Sequence, residues 1–250
     1  AEHYVPANTV VVFAGKVVHA DCVDRVARYA GSLAPGRTPR ACPVRATLRP
    51  GRVAVQTRKI EQTHLAFGLR LFGRADDRRY PLKLLNVVLG ENMSSRLFQT
   101  IREKHGLAYA IHSTYQLFAE TGALVIAAGL DRKRTPRAVE LVLRELIRLK
   151  TTPVGARELA RAKDYAMGQI RLGLESTANQ SFWLGENYSA FRRFIPPEEV
   201  IQRLSAVDAE SIQRVAGDMI REARASLALL TPDPVEGGEQ TLSDLLGMLE

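Results

Sequence analysis

The sequence predicts an α+β fold in which helices are layered on a sheet. Candidate strands and candidate helices occur in runs along the chain and do not alternate strictly, which favours this class over a parallel α/β fold. The 250 residues suffice for one large domain or two small ones. A hydrophobic content of 46% and a charged content of 25% are ordinary for a globular protein.

The chain opens with a predicted strand and helix, followed by a linker. Residues 9–15 are apolar and β-branched and end in glycine, which is typical of a buried strand. Residues 20–33 carry a helical apolar stripe, with Asp21 at the N-cap. Residues 34–52 contain four prolines and five arginines without an acid, which predicts a linker or a basic arm. This segment has no aromatic residues for stacking on bases, so the linker is favoured.

The middle of the chain carries both strand and helix signals. The segment from Val53 to about Phe72 predicts a strand, and residues 75–90 predict a helix that Gly90 ends. Residues 107–118 and 121–130 predict two strands joined by a short turn. The rest of the chain predicts a run of five helices and a closing strand. The first helix begins at Thr135, the next three cover about 155–175, 177–191 and 197–204, and the fifth extends from an Asp208 cap to about Glu222. The closing strand covers residues 225–232.

The segment SSRLFQTIREKHGLAYAIHSTY, residues 94–115, divides evenly into a helix, a glycine and a strand. Gly106 is expected to end the helix, because glycine adopts the left-handed backbone conformation that follows a helix at little energetic cost. Arg102 lies in the last turn of the helix and Tyr109 near the start of the strand, so the turn folds the two toward one place. A guanidinium recognises carbonyls or carboxylates through planar donors, and a phenol can donate to a developing oxyanion.

The spacing alone leaves a structural alternative for both residues. Arg102 can compensate the partial negative charge at the helix C-terminus. Tyr109 can be a core residue, because alternation along the strand places it on the same face as Ile111 and Tyr115.

The charge and the cysteines exclude several classes of protein. The formal net charge is +8 and the pI about 9.8, which would attract acidic partners. The charges are dispersed, which indicates an arginine-rich solvated surface, and no zinc-finger or RNA-binding motif accompanies them. Cys22 and Cys42 form no C-x-x-C pair, which excludes a thioredoxin motif, and a disulfide between them is weakly supported. No apolar run approaches the roughly 18 residues that a membrane span needs.

Five stretches occur along the chain in a fixed order: YVPANTVVVFAGKV, RKIEQTHLAFG, LLNVVLGENMSSRLFQTIREKHGLAYAIHS, ARELARAKDYAMGQIRLGLES and AVDAESIQRVA. This order closely resembles the pitrilysin/insulinase-type zinc peptidases, in the branch of the mitochondrial processing peptidase and its bacterial relatives. The resemblance extends from about Tyr4 to Pro232, and the block SSRLFQTIREKHGLAY is its most specific part.

The resemblance implies a LuxS/processing-peptidase-like metallohydrolase fold, with an antiparallel-rich sheet covered by helices and two half-domains that enclose a peptide. In that family the matching arginine and tyrosine come from the half opposite the zinc, hold the substrate backbone and help to stabilise the tetrahedral intermediate. The resemblance therefore assigns substrate binding to Arg102, substrate binding and oxyanion stabilisation to Tyr109, and the geometry of the turn to Gly106.

The inverted zinc motif of the family, H-x-x-E-H, does not occur in this sequence. Two histidines must lie about one turn apart on a helix to share a metal, and the closest pair here is seven residues apart. The five histidines are His3, His19, His64, His105 and His112. We therefore expect no metal ligand in this chain, and zinc only in the complete enzyme.

The resemblance also implies a domain division, because YVPANTVVVFAGKV normally lies near the end of the first half-domain. Residues 1–33 are expected to be the remnant of that half, 34–55 a linker, 56–232 the complete second, substrate-binding half, and 233–250 a tail. Such a remnant leaves a strand edge and an apolar helix face uncovered, so self-association through residues 5–30 is predicted.

Three functional hypotheses follow from these residues. The first is the substrate-binding half of a zinc-dependent metalloendopeptidase, inactive alone, whose partners are a peptide substrate and a zinc-bearing first half-domain or partner subunit. The second is a non-catalytic subunit that serves as a scaffold for a chain bearing H-x-x-E-H. The third, nucleic-acid binding through the basic linker, is disfavoured. A homo-oligomer is left open, and no membrane partner is expected.

Overall fold

The computed structural model describes residues 3–38, 42–44, 52–235 and 237–250. Most of the second half of the expected linker, residues 45–51, therefore lies outside the described residues, as do residues 39–41.

Internal contacts divide the chain into two compact units. One unit consists of Ala1–Val44 and Met167–Gln202, and the other of Arg45–Ala166 and Arg203–Glu250. This is a different division from the half-domain boundaries that the resemblance implies, and those boundaries stay a prediction.

The larger unit is built on one five-stranded sheet. Its strands are β1 (Arg52–Thr57), β2 (Thr63–Phe72), β3 (Ala108–Leu117), β4 (Thr121–Leu130) and β5 (Ala225–Thr231). They lie in the order β1-β5-β2-β4-β3, with β1 parallel to β5 and each other neighbouring pair antiparallel. The antiparallel-rich sheet expected from the resemblance is therefore confirmed.

The single strand predicted from Val53 to Phe72 is wrong, because the structure has two strands there. Residues 58–62 separate β1 from β2, and the two strands pair with opposite sides of β5. The intervening sequence RKIEQ is rich in charged residues that are depleted in strands, which accounts for the interruption.

Eight α-helices and two π-helical segments are present in the described ranges. The α-helices are α1 (His19–Ala30), α2 (Arg79–Asn86), α3 (Thr135–Thr151), α4 (Ala156–Gly173), α5 (Thr177–Phe191), α6 (Pro197–Ser205), α7 (Ala209–Met219) and α8 (Gly238–Leu246). The π-helical segments are Val87–Glu91 and Phe98–Lys104. The predicted helices from Thr135 onward are confirmed. Asp208 caps α7 as expected, since the Ser211 N–H donates to its carboxylate over 2.7 Å.

One face of the sheet carries the core of the larger unit. Along β2 every second residue from Thr63 to Leu71 is buried, while the residues between them are exposed or half-buried. Helices α2, α3, α7 and α8 bring the fully buried side chains Leu82, Leu143, Ile212 and Leu242 to this core.

The opposite face of the sheet is exposed or half-buried and consists largely of small residues. We call it the open face, and its small members include Ala54, Ala66, Gly68, Ala110, Ala123, Ala127, Gly129, Ser226 and Ala228. Small side chains leave space for another chain or ligand to approach close to the sheet backbone.

The buried strand predicted over residues 9–15 is wrong. Residues 9–14 form no strand in the described part of the chain, and Val11 and Phe13 are 51% and 44% exposed. A strand needs a neighbour to accept and donate its backbone hydrogen bonds, and no described residue does so here. Helix α1, which follows, has no buried residue either. The local pattern signals strand propensity, but it does not tell whether a partner strand is present.

Candidate functional site

The helix that carries Arg102 is fixed by buried side chains and by one ion pair. Leu97 and Ile101 are fully buried. Arg96 forms a two-pronged ion pair with Glu158 of α4, with N···O distances of 2.9 and 2.7 Å. No side chain caps the π-helical segment Phe98–Lys104, and Ser95 Oγ has no hydrogen-bond partner among the described residues.

The helix ends at Gly106, as the sequence predicts. Gly106 has a φ of +56°, and its N–H donates to the Arg102 carbonyl over 3.1 Å. The Leu107 N–H donates to the Ile101 carbonyl over 2.9 Å. This hydrogen bond closes a longer loop of backbone than the hydrogen bonds of an α-helix do, which fits the π-helical winding of Phe98–Lys104. We call the segment from Arg102 to Tyr109 the glycine corner.

Residues that follow β4 hold the glycine corner in place. The Asp131 N–H donates to the Leu107 carbonyl over 3.0 Å, and Arg134 Nη2 donates to the Gly106 carbonyl over 3.0 Å. The Asp131 carboxylate accepts from the Lys133 N–H and pairs with Arg134, and these contacts lower the pKa of Asp131. Asp131 and Arg134 are not among the site residues predicted from the sequence, because they lie well beyond the corner in the chain and carry no recognisable motif.

Tyr109 occupies a β-bulge at the start of β3. Ala108 pairs with Leu130 and Ala110 with Gly129, so Tyr109 is an extra residue without a partner on β4. Its side chain is 81% exposed, whereas Ile111 is buried. The predicted alternation, which placed Tyr109 on one face with Ile111, is therefore wrong, and so is the alternative that Tyr109 is a core residue.

Arg102 lies at the surface on the other side of Gly106. Its guanidinium carbon is 4.7 Å from the centre of the Phe98 ring, and its Nε is 3.8 Å from a Glu103 oxygen. The side chain is 42% exposed, and the described residues give it no hydrogen bond. Arg102 and Tyr109 thus both offer donors to solvent from one rigid corner, although no described contact joins the two side chains.

Tyr109 also lines a depression of about 440 Å³ at the end of β4. The residues that share it are Glu61, Gln62, Gly106, Leu107, Ala108, Gly129, Leu130 and Asp131. Arg102 is not part of this lining. The depression therefore places the Tyr109 ring beside space for an external group, with two carboxylates nearby.

A buried polar chain ties β3 to the end of α2. Ser113 Oγ donates to Asn86 Oδ1 over 2.8 Å, and Asn86 Nδ2 donates to Glu91 over 2.7 Å. Lys83 Nζ reaches the other Glu91 oxygen at 2.6 Å. Burial, with a smaller contribution from the Glu91 charge, raises the pKa of Tyr115 to about 12. These contacts anchor the strand that presents Tyr109.

The side chains that the structure describes do not fit a zinc site. Within residues 3–38, 42–44, 52–235 and 237–250, no group of three or more His, Cys, Asp or Glu side chains could hold a metal ion. His105 follows the second π-helical segment, and His112 is exposed on β3. Cys22 and Cys42 are free thiols. No described helix has the length and apolarity to span a bilayer.

Two kinds of comparison identify the family of the chain. A family model described as the peptidase M16 inactive domain matches residues 1–165. The chain belongs to the M16 peptidase family. Similar proteins include an uncharacterized zinc protease of Streptomyces coelicolor, 32% identical over 237 residues, which cover 92% of this chain and 51% of the relative. Another is the uncharacterized zinc protease YmxG of Bacillus subtilis, 34% identical over 175 residues, 70% of this chain and 42% of the relative.

Solved structures confirm the M16 fold. A protease from Helicobacter pylori has a TM-score of 0.77 at 18% identity, over 88% of this chain and 54% of that one. An M16 inactive domain from Pseudomonas fluorescens has a TM-score of 0.79, also at 18% identity, over 88% and 53%. The resemblance and the fold class predicted from the sequence are therefore confirmed. The chain is a half-domain of a zinc metallopeptidase family, and it spans about half the length of the curated relatives it matches.

Proposed function

We propose that this chain is the substrate-binding half of a zinc-dependent metalloendopeptidase and is inactive alone. The Arg102 guanidinium binds a carbonyl of the peptide backbone. The Tyr109 hydroxyl donates a hydrogen bond to the oxygen that gains negative charge as the peptide bond is attacked. A zinc-bearing first half-domain or partner subunit supplies the water that the metal activates.

The observation that carries this proposal is the exposed tyrosine in the bulge. A phenol that is 81% exposed contributes little to packing, and the bulge points it away from the core without disturbing the buried face of β3. Bulges are enriched beside active sites, where they re-aim a side chain. The rigidity of the corner supports the same role, because preorganised donors cost little reorganisation during reaction.

The composition of the site supports inactivity of the chain alone. The described residues provide no metal cluster, and the roles proposed for Arg102 and Tyr109 need neither group to act as nucleophile or base. The family model that matches is also the one described as inactive.

The test is peptidase kinetics with the zinc-bearing half restored. Tyr109→Phe should lower kcat roughly 10²-fold, the effect of losing one oxyanion donor. Arg102→Ala should lower kcat/KM by at least about tenfold, the effect of losing a charged hydrogen bond. Both variants should unfold at the wild-type denaturant midpoint, because both side chains are exposed.

Matched controls are Tyr29→Phe and Arg144→Ala, which alter exposed residues outside the glycine corner. Unchanged kinetics in both corner variants would reject the assigned roles. That result would favour the alternative, in which the chain is a non-catalytic scaffold for an H-x-x-E-H subunit.

A further inference from the structure

A second depression, of about 470 Å³, lies on the open face at the end of the sheet where β1 and β5 begin. Arg52 of β1, Arg70 of β2 and Arg224, just before β5, all line it. Ser226 lies at its centre, paired in register with Arg52 on one side and with Gly68 on the other.

The depression concentrates positive charge without an acid in its described lining. The Arg52 and Arg224 guanidinium groups have no hydrogen bond or ion pair within the described ranges, whereas Arg70 already takes part in an interaction. The sequence that precedes Arg52, residues 45–51, contains no Asp or Glu. Guanidinium groups gathered in this way repel each other, and a bound anion relieves that repulsion.

The floor of the depression is open. Gly68 has no side chain, and a Cβ placed there would meet no atom nearer than the Ser226 carbonyl oxygen at 4.0 Å. Its neighbours Phe67 and Leu69 point into the core, so position 68 faces the depression. The absent side chain leaves room for a ligand group between the arginines.

We propose that this depression binds the carboxylates of acidic peptides. Planar guanidinium donors match the two oxygens of a carboxylate. The small residues of the open face, such as Ala123 opposite Arg70, let an extended peptide approach the sheet. The proposal rests on the proposed function and adds to it a preference for acidic segments, at a position separate from Arg102 and Tyr109.

The test measures peptide binding to the chain, by fluorescence anisotropy of labelled peptides. An extended Glu-containing peptide is compared with the same peptide carrying Gln at each Glu. The wild-type protein should bind the acidic peptide at least about tenfold more tightly, and the difference should shrink as salt is added.

The variants Arg52→Gln and Arg224→Gln should each remove most of that preference. Gly68→Val adds volume at the floor, where an added Cβ meets no atom nearer than 4.0 Å, and keeps the net charge, so it should weaken binding of the acidic peptide through volume alone. Arg144→Gln on α3 lowers the net charge by the same amount as the arginine variants and should leave the preference intact. Circular dichroism checks that each variant is folded. If Gly68→Val does not fold, Gly68→Ala replaces it, because alanine adds less volume.

Equal affinity for the Glu and Gln peptides overturns the proposal, as does an equal loss of preference in Arg144→Gln. Competition by inorganic phosphate or duplex DNA at lower concentrations than the acidic peptide also overturns it. The proposed function has a separate readout. Unchanged turnover in the Arg102 and Tyr109 variants would reject the proposed function, whereas the preference for Glu over Gln peptides tests only the depression.

Discussion

Replacement of Gly106 by alanine tests whether the glycine corner depends on a left-handed residue. Gly106 has a φ of +56°, and a Cβ added there would find nothing within 4 Å. The cost of Gly106→Ala is therefore that of the backbone conformation, about 1–2 kcal/mol, and not of a steric clash. The lower entropy of the unfolded alanine chain offsets about 0.4–1 kcal/mol of it. We expect a net loss of about 1 kcal/mol in the free energy of unfolding.

Urea denaturation measures this loss against two matched variants. Gly217 lies within α7, also with nothing within 4 Å of an added Cβ, so Gly217→Ala should stabilise by about 0.5–1 kcal/mol. Gly106→Asn should cost less than Gly106→Ala, because asparagine tolerates the left-handed region better. With a urea slope of about 1–3 kcal/mol/M, Gly106→Ala should lower the midpoint by about 0.3–1 M.

Two results would refute this reasoning about Gly106. One is a Gly106→Ala protein as stable as the wild type. The other is a Gly106→Asn protein less stable than Gly106→Ala, which would mean that side-chain volume and not backbone conformation sets the cost.

Two further predictions concern the α7 cap and the amino-terminal segment. Hydrogen bonds from Ser211 lower the pKa of Asp208, so the stabilisation it gives is present above the pKa of the unfolded chain, about 3.9, and is lost as the pH falls through the folded value. Asp208→Ala should therefore cost about 1 kcal/mol at pH 7 and less at pH 3 by urea denaturation, and a gap that does not change with pH would contradict this origin. Residues 5–30 expose an apolar groove of about 730 Å³ that includes Val23. Light scattering should therefore show a mean molecular mass that rises with protein concentration, and the rise should be smaller in Val23→Glu. A monomer at high concentration would count against self-association, and Leu172→Glu, at an exposed site outside this groove, is the control.

Features encoded by neighbouring residues could be predicted from the sequence. Gly106 ends a helix because of its own conformational freedom, and Asp208 caps α7 because its carboxylate reaches an N–H three residues on. Both depend on contacts within a few residues, so the local pattern is sufficient. The family resemblance added the antiparallel sheet, which local patterns do not encode.

Features that depend on distant partners could not be predicted. The bulge at Tyr109 is defined only by the register between β3 and β4, so simple alternation pointed the side chain to the wrong face. The hydrogen bond from Arg134 to the Gly106 carbonyl spans 28 residues of sequence. Residues 9–15 have every local property of a strand, but strand formation depends on a neighbour that the segment itself cannot specify.

The bulge at Tyr109 also has an evolutionary consequence. A residue that pairs with no residue of the adjacent strand is not subject to the restrictions on size and polarity that apply to its paired neighbours. Mutations at this one position can therefore accumulate at almost no thermodynamic penalty, and whatever side chain natural selection keeps there is kept for what it touches outside the polypeptide. The fate of a mutation in this codon is therefore decided by what the protein recognises and not by how firmly it folds.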